Sequence, residues 1–136
     1  MTVYALDLWG RARESLAVAS EILARTPDIA ASRAYYAAFY AVSALFALEE
    51  KSFVKHAAVE AAVHRDLVNT GRMPKELGKT YSTLLERRAT GDYGVEKHVS
   101  PEEARDSIVG AERILAFVAE SSGGILRLGG AEGRRQ

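Results

Sequence analysis

Residues 26–48 read TPDIAASRAYYAAFYAVSALFAL, and beyond Arg33 this segment carries no charge. Apolar residues and tyrosines occupy nearly every face of a helix drawn through it, which is typical of a helix at the centre of a bundle or in a subunit interface. Thr26 is suited to cap this helix, Pro27 to occupy its first position, and Asp28 to complement its positive end. The segment therefore predicts a buried central helix that begins beside the capping threonine.

Four further segments show the three- and four-residue apolar spacing of helices that bury one face. The last of them is preceded by Ser100 and Pro101, with Glu103 at the position that completes a capping box. In chain order these predicted helices cover about residues 3–24, 56–69, 75–88 and 101–121.

The breaks between these segments define the domain organisation. Residues 90–94 read TGDYG, and their two glycines and one aspartate predict a loop. Five helices joined by short connections predict an all-α, up-and-down bundle over residues 1–122. Residues 123–136 have little apolar surface to offset the entropy cost of ordering, so we expect a flexible C-terminal tail there.

The composition restricts the function classes. A chain of 136 residues is the size of one domain, and its eighteen basic and eighteen acidic residues give no net charge to attract nucleic acid. Any contact with RNA must therefore come from a local patch. The chain has no cysteine, which excludes disulfides and thiolate metal sites. We expect no signal peptide and no membrane span, and hence a cytoplasmic protein.

Several kinds of catalytic motif are absent from the sequence. It contains no glycine-rich phosphate-binding loop of the dinucleotide or Walker type. His56 and His64 are eight residues apart and do not form the adjacent helical pair used by zinc sites. We therefore expect no metal and no cofactor.

A first polar cluster lies at the entrance of the apolar helix. Arg33 shares a helical face with Tyr36 and Tyr40, three and seven residues further on, and Tyr35 is adjacent. One interpretation is a structural arginine whose stem packs while its guanidinium reaches an acid or a carbonyl group. The other is a contact to an anion or a nucleotide, because arginine offers a planar donor fork and tyrosine a stacking face.

A second polar cluster follows the fourth predicted helix. It contains Arg87, Arg88, Asp92 and Tyr93, with His98 beyond. Basic residues are favoured at helix C-termini and aspartate in turns, so a structural role is one interpretation. Paired arginines beside a tyrosine and a histidine equally suggest phosphate binding and proton transfer. An ion pair between Arg88 and Asp92 is compatible with both interpretations.

These elements together resemble the HEPN domain family, and in particular its small stand-alone prokaryotic branch. The resemblance covers roughly residues 8–120 and is carried by Ser32–Ala41 (SRAYYAAFYA), Lys55-His56, Thr70-Gly71, Arg88–Tyr93 (RATGDY) and the capped helix start at Ser100. It implies an all-α bundle of about five helices that usually forms a homodimer. It also implies a gene partner, a minimal nucleotidyltransferase, in a toxin–antitoxin-type pair.

Many HEPN toxins are metal-independent ribonucleases in which four to six residues separate an arginine from a histidine. Counted from Arg88, the positions for that histidine hold Tyr93, Gly94 and Val95, and His98 lies outside the window. The resemblance therefore leaves a ribonuclease open, with Arg88 binding phosphate and either His98 or Tyr93 transferring a proton.

Two other functions remain open besides the ribonuclease. In a binding module, the bundle dimerises, docks a nucleotidyltransferase partner, and binds RNA or a nucleotide. Its contacts would come from Arg33, Tyr36, Tyr40, Arg87, Arg88, Asp92 and Tyr93. The third possibility is a structural helical dimer without a ligand. The sequence favours the binding module, because no histidine occupies the expected position.

Overall fold

The computed structural model describes residues 2–129 and shows five helices in this range. Neither a strand nor a helix long and apolar enough to cross a membrane occurs there, and the predicted all-α fold is confirmed. The third of these helices continues directly into a π-helical segment, Val63–Val68. The helices are α1 Thr2–Ile22, α2 Pro27–Leu48, α3 His56–Ala62, α4 Lys75–Tyr93 and α5 Pro101–Ser121.

Helix α2 forms the centre of the bundle and packs against α1, α4 and α5. Its small side chains allow close approach of neighbouring helices on several faces, the buried alanines being Ala30, Ala31, Ala34, Ala37, Ala38, Ala41, Ala44 and Ala47. The predicted central position of this helix is confirmed. Because the bundle itself covers α2, its apolar composition does not require a second subunit.

Two helix starts follow the predicted capping chemistry. The Thr26 hydroxyl accepts a hydrogen bond from the amide of Ile29 at 3.4 Å, and Pro27 is the first helical residue of α2. At α5, the Ser100 hydroxyl accepts from the amide of Glu103, and the Glu103 carboxylate accepts from the amide of Ser100, both at 3.0 Å. These side chains satisfy amides that the helices themselves leave unpaired.

The prediction that residues 90–94 form a loop is wrong, since α4 continues through all but the last of them. Gly91 allows close packing: a Cβ atom there would lie 2.5 Å from the main-chain oxygen of Asp28, at the start of α2. The continued helix also places Arg88 and Asp92 one turn apart, where they form an ion pair at 3.0 Å.

The first part of the predicted C-terminal tail packs on the bundle. Leu126 is buried, and its amide donates to the Ser122 hydroxyl at 2.9 Å. The indole nitrogen of Trp9 donates to the main-chain oxygen of Arg127 at 2.8 Å, which ties this segment to α1. The rest of the predicted tail, residues 130–136, lies outside the described residues.

Candidate functional site

Arg88 on α4 points toward α2, and its guanidinium is held by three side chains. Nη2 donates to the hydroxyl of Tyr36 at 2.9 Å and to that of Tyr93 at 3.5 Å, while Nε lies 3.0 Å from the Asp92 carboxylate. Burial acts to lower the pKa of Arg88, but Tyr36, Tyr93 and Asp92 raise it above its usual value overall. The group is therefore charged and fixed in position, with its side chain 15% exposed.

The two polar clusters predicted from the sequence meet at the ring of Tyr36. The guanidinium carbon of Arg33 lies 4.6 Å from the centroid of this ring, and that of Arg88 lies 5.5 Å from it. Both distances are in the range of cation–π contacts. Tyr40 extends the aromatic surface, its ring 6.1 Å from that of Tyr36. We call Arg33, Tyr36 and Arg88 the arginine–tyrosine cluster.

Tyr93 lies at the exposed edge of this cluster. Its side chain is 69% exposed, and its ring centroid is 5.4 Å from the guanidinium carbon of Arg88. Because α4 continues to this residue, Arg88, Asp92 and Tyr93 lie on one side of the same helix. A mobile loop would not hold them in this register.

His56, the first residue of α3, is a member of the site that the sequence reasoning did not include. Its Nδ1 lies 2.8 Å from the hydroxyl of Tyr35, and its ring centroid is 4.6 Å from that of Phe39 and 5.6 Å from that of Tyr36. Burial, and next the positive charge of Arg88, lower the pKa of His56 below its ordinary value. The imidazole is therefore a neutral group close to a fixed guanidinium.

Two of the predicted site residues are engaged elsewhere. Arg87 points to α5, where its Nη1 donates to the carboxylate of Asp106 at 2.6 Å. His98 lies with Nδ1 at 2.8 Å from Oδ2 of Asp28, and Oδ1 of the same carboxylate accepts from the amide of Val99 at 2.7 Å. Asp28 thus fastens the α4–α5 connection to the start of α2.

Among residues 2–129, no three histidine, aspartate or glutamate side chains are grouped so that they could hold a metal ion. Besides the Asp92 carboxylate that pairs with Arg88, the polar groups gathered at the site are guanidinium, phenol and imidazole. These groups bind anions and aromatic rings and transfer protons.

The family assignment follows from a comparison over nearly the whole bundle. The family model described as "HEPN domain" matches residues 5–121. The chain belongs to the HEPN domain family. The resemblance carried by the sequence motifs is thereby confirmed.

Individual relatives of this HEPN chain extend the comparison. It is 44% identical over 112 residues to a UPF0332 protein of Thermotoga maritima, covering 81% of the chain and 85% of that protein. It is 32% identical over 123 residues to a UPF0332 protein of Gloeobacter violaceus, covering 88% of the chain and 97% of that protein. A protein of Methanocaldococcus jannaschii named "Putative toxin MJ0142" is 33% identical over 77 residues, covering 57% of the chain and 52% of that protein.

In this HEPN domain, the histidine that lies near Arg88 comes from a different helix than the one on which the motif spacing would place it. Arg88 lies on α4, whereas His56 begins α3, and the two flank the same pair of rings, Tyr35 and Tyr36. The local sequence held one signal for this, the Lys55-His56 pair among the resembling segments. The contact of His56 with the site depends on the path of the segment that joins α2 to α3. Residue spacing alone does not predict this path.

Proposed function

We propose that this chain is a toxin-type HEPN protein that works as a homodimeric module binding RNA or a nucleotide, alongside a minimal nucleotidyltransferase partner. The observation that carries the binding activity is the placement of the Arg33 and Arg88 guanidinium groups against the single ring of Tyr36. The similarity to the protein named "Putative toxin MJ0142" supports the toxin-type assignment.

The arginine–tyrosine cluster suits a phosphate group for chemical reasons. Arg88 uses Nη2 and Nε for its contacts within the protein, and its Nη1 makes no hydrogen bond to residues 2–129. Asp92 and Tyr36 fix the guanidinium before a ligand arrives, which lowers the entropy cost of binding. Tyr93 offers an exposed ring on which a base can stack. With no net charge on the chain, this local patch must supply the attraction.

The direct test is the affinity for a short single-stranded RNA, measured by fluorescence anisotropy. Arg88→Gln should lower the affinity about tenfold or more, as expected when a charged hydrogen bond to phosphate is lost. The matched control is Arg105→Gln, which removes the same charge from an exposed position on α5. Equal affinities of the wild type and both variants would refute the proposed binding site.

The homodimer and the partner are separate parts of the proposal. Val3 and Leu6 lie one turn apart on α1 and are 83% and 46% exposed, which favours contact with another subunit. Sedimentation analysis should show a dimer that dissociates in a Val3→Ser/Leu6→Ser variant. A monomer at tens of micromolar (~10⁻⁵ M) would contradict the proposed homodimer.

Co-expression with a minimal nucleotidyltransferase from the same genome, followed by purification through a tag on one protein, should recover both proteins. Recovery of one protein alone would contradict the proposed partner.

A second candidate function, a metal-independent ribonuclease, is favoured by one specific observation. His56, with its lowered pKa, is a neutral imidazole on the same two rings as the fixed guanidinium of Arg88. In such a reaction the imidazole would accept the proton of a ribose 2′-hydroxyl while its oxygen bonds to the adjacent phosphorus. The bond from phosphorus to the 5′-oxygen would break, that oxygen would take a proton from water, and the guanidinium would stabilise the charge that develops on the phosphate. His56 would then take the proton-transfer role for which the sequence suggested His98 or Tyr93.

Cleavage of a labelled RNA by purified protein in the presence of a metal chelator tests this second candidate. His56→Gln should abolish cleavage, and His98→Gln is the matched control because it removes a histidine that is bound to Asp28. An equal loss in both variants, or cleavage that survives His56→Gln and Arg88→Gln, would show that the activity has another source.

A further inference from the structure

A second feature of the surface lies directly beside the arginine–tyrosine cluster. A cavity of about 280 Å³ opens between α1, α2 and the segment that joins α2 to α3. Half of the residues that line it are aromatic, and we call it the aromatic cavity. Its aromatic residues are Tyr4, Phe39, Tyr40, Phe46 and Phe53.

The aromatic cavity also contains a polar group that the fold leaves without a partner. Ser43 lines the cavity, and its hydroxyl is buried without a hydrogen bond to any of residues 2–129. A buried hydroxyl without a partner is unfavourable, and native proteins seldom retain one without a reason. A rotation of the Ser43 side chain about its Cα–Cβ bond would bring the hydroxyl into the cavity, where the hydrogen-bonding edge of a ligand would satisfy it.

The wall of the cavity and the arginine–tyrosine cluster share neighbouring rings. Phe39 lies between them, with its ring centroid 6.2 Å from that of Tyr36 and 4.6 Å from that of His56. Tyr40 lies 5.6 Å from Phe39 and 6.1 Å from Tyr36. One ligand can therefore contact the cavity with one end and Arg33 with the other.

We propose that the aromatic cavity binds the base of a nucleotide whose phosphate group rests on the arginine–tyrosine cluster. This inference rests on the proposed function and specifies how that site recognises its ligand. Flat aromatic walls suit the face of a flat base, and stacking of this kind tolerates any base sequence. The Ser43 hydroxyl, once rotated into the cavity, meets the polar edge of the base.

The size of the cavity favours a base over larger apolar ligands. Its volume of about 280 Å³ lies just below the ~300–1,000 Å³ of pockets for drug-sized molecules. A lipid chain has no group that could form a hydrogen bond with the Ser43 hydroxyl, and it has no flat face that could stack on the rings. The adjacent guanidinium groups complement the charge of a nucleotide phosphate.

Calorimetric titration with three probes separates the two ends of the ligand. The probes are adenosine 5′-monophosphate, ribose 5-phosphate, which lacks the base, and adenosine, which lacks the phosphate. We expect the monophosphate to bind at least about fivefold more tightly than ribose 5-phosphate, because a stacked base contributes about 1–3 kcal/mol. Arg88→Gln should weaken both phosphate-bearing probes and leave adenosine unchanged.

Variants in the cavity test the base-binding end alone. Phe53→Leu keeps an apolar side chain but removes a stacking face, and it should weaken the monophosphate about tenfold without affecting ribose 5-phosphate. Phe117→Leu makes the same exchange on α5, outside the cavity lining, and is the control. Ser43→Ala should cost a few-fold in affinity for the monophosphate while leaving the fold intact, because it removes an unpaired hydroxyl.

The outcomes distinguish this inference from the proposed function. Equal affinities for the monophosphate and ribose 5-phosphate, with both lost in Arg88→Gln, would overturn the base site and leave the phosphate site standing. Binding of adenosine that depends on Phe53, without any binding of ribose 5-phosphate, would support the cavity and refute the phosphate site. A change in sedimentation of Phe53→Leu without a change in nucleotide affinity would make the cavity a subunit contact and overturn the inference.

A six-residue RNA, compared with the monophosphate, shows whether the ligand is a free nucleotide or a residue of RNA. If a six-residue RNA binds more tightly than the monophosphate and still depends on Phe53, the base site serves RNA. If the monophosphate competes with that RNA and binds equally well, the site serves free nucleotides. Both results support a base in the cavity, whereas an RNA affinity that is insensitive to Phe53→Leu and Ser43→Ala contradicts it.

Discussion

The hydroxyl of Tyr35 lies 2.8 Å from Nδ1 of His56, which joins α2 to the start of α3. Burial raises the pKa of Tyr35 to about 12, so its hydroxyl keeps its proton near neutral pH and can donate to the ring or accept from it. Proton acceptance by His56 in the ribonuclease candidate requires the tautomer in which Nδ1–H donates to Tyr35 and Nε2 is free. The contact therefore defines the orientation of a histidine that lies beside the arginine–tyrosine cluster.

The protonation of His56 gives a first prediction. Its pKa is lowered by burial and then by Arg88, so an NMR titration of its ring should have a midpoint below the ordinary value of 6.5. Arg88→Gln removes the second cause and should raise the midpoint. Arg87→Gln is the matched control, since Arg87 points to Asp106 on α5 and should leave the midpoint unchanged. A wild-type midpoint at or above 6.5 contradicts the structure.

The same shift predicts a pH dependence of stability. The unfolded chain binds a proton at His56 more readily than the folded chain, so the free energy of unfolding falls as the pH drops below about 6.5. This contribution is absent in His56→Gln, whose loss of stability between pH 7 and pH 5 should be smaller. Urea unfolding at the two pH values measures it. An identical loss in both proteins would show that His56 does not contribute.

Local sequence signals were sufficient where a structural feature depends on adjacent residues. The caps at Thr26 and Ser100 and the uncharged run of α2 were predicted because each is encoded within a few residues or one helix. Residues 90–94 were predicted as a loop because glycine usually disfavours helices. The structure shows that Gly91 instead makes room for the backbone of Asp28, a residue 63 positions away that no local pattern identifies.

The site was predictable only in parts for the same reason. The helical spacing placed Arg33, Tyr36 and Tyr40 on one face, and the pairing of Arg88 with Asp92 follows from one turn of α4. Arg33 and Arg88 contact the same ring, that of Tyr36, because of the way in which α2 and α4 cross. This crossing geometry cannot be predicted from the sequence of either helix alone.

The close contact at Gly91 predicts opposite effects for two similar substitutions. Gly91→Ala places a Cβ atom 2.5 Å from the main-chain oxygen of Asp28 and should destabilise the fold by about 1–2 kcal/mol, after allowance for the better helix propensity of alanine. Gly10→Ala lies on the exposed face of α1 with no atom within 4 Å of the new methyl group. It should stabilise the protein by about 0.5–1 kcal/mol. Chemical unfolding compares the two, and equal effects would contradict the packing.

Asp28 should matter for the α4–α5 connection. Burial acts to raise the pKa of Asp28, but the Val99 amide and His98 lower it overall. The ionised carboxylate therefore stabilises the fold fully at pH values well above 3.8, and this stabilisation is lost as the carboxylate is protonated in stronger acid. Asp28→Ala should cost about 1–3 kcal/mol at pH 7 and accelerate hydrogen exchange at the Val99 amide. Asp7→Ala breaks an exposed ion pair with Arg11 and should cost less than about 1 kcal/mol. Unchanged exchange at Val99 would contradict the role of Asp28.

The shared ring of Tyr36 predicts that Arg33 and Arg88 act on RNA as a coupled pair. Each guanidinium that contacts a phosphate should contribute about 0.7 to the slope of log affinity against log salt for single-stranded RNA, so Arg33→Gln and Arg88→Gln should each reduce that slope. Because both groups lie against one ring, the double variant should differ from the sum of the single variants by about 0.5–3 kcal/mol. Arg105→Gln combined with Arg88→Gln provides the additive reference, since Arg105 is exposed on α5. Additive effects of Arg33 and Arg88 would mean that they bind separate phosphates, and an unchanged salt slope would mean that neither binds one.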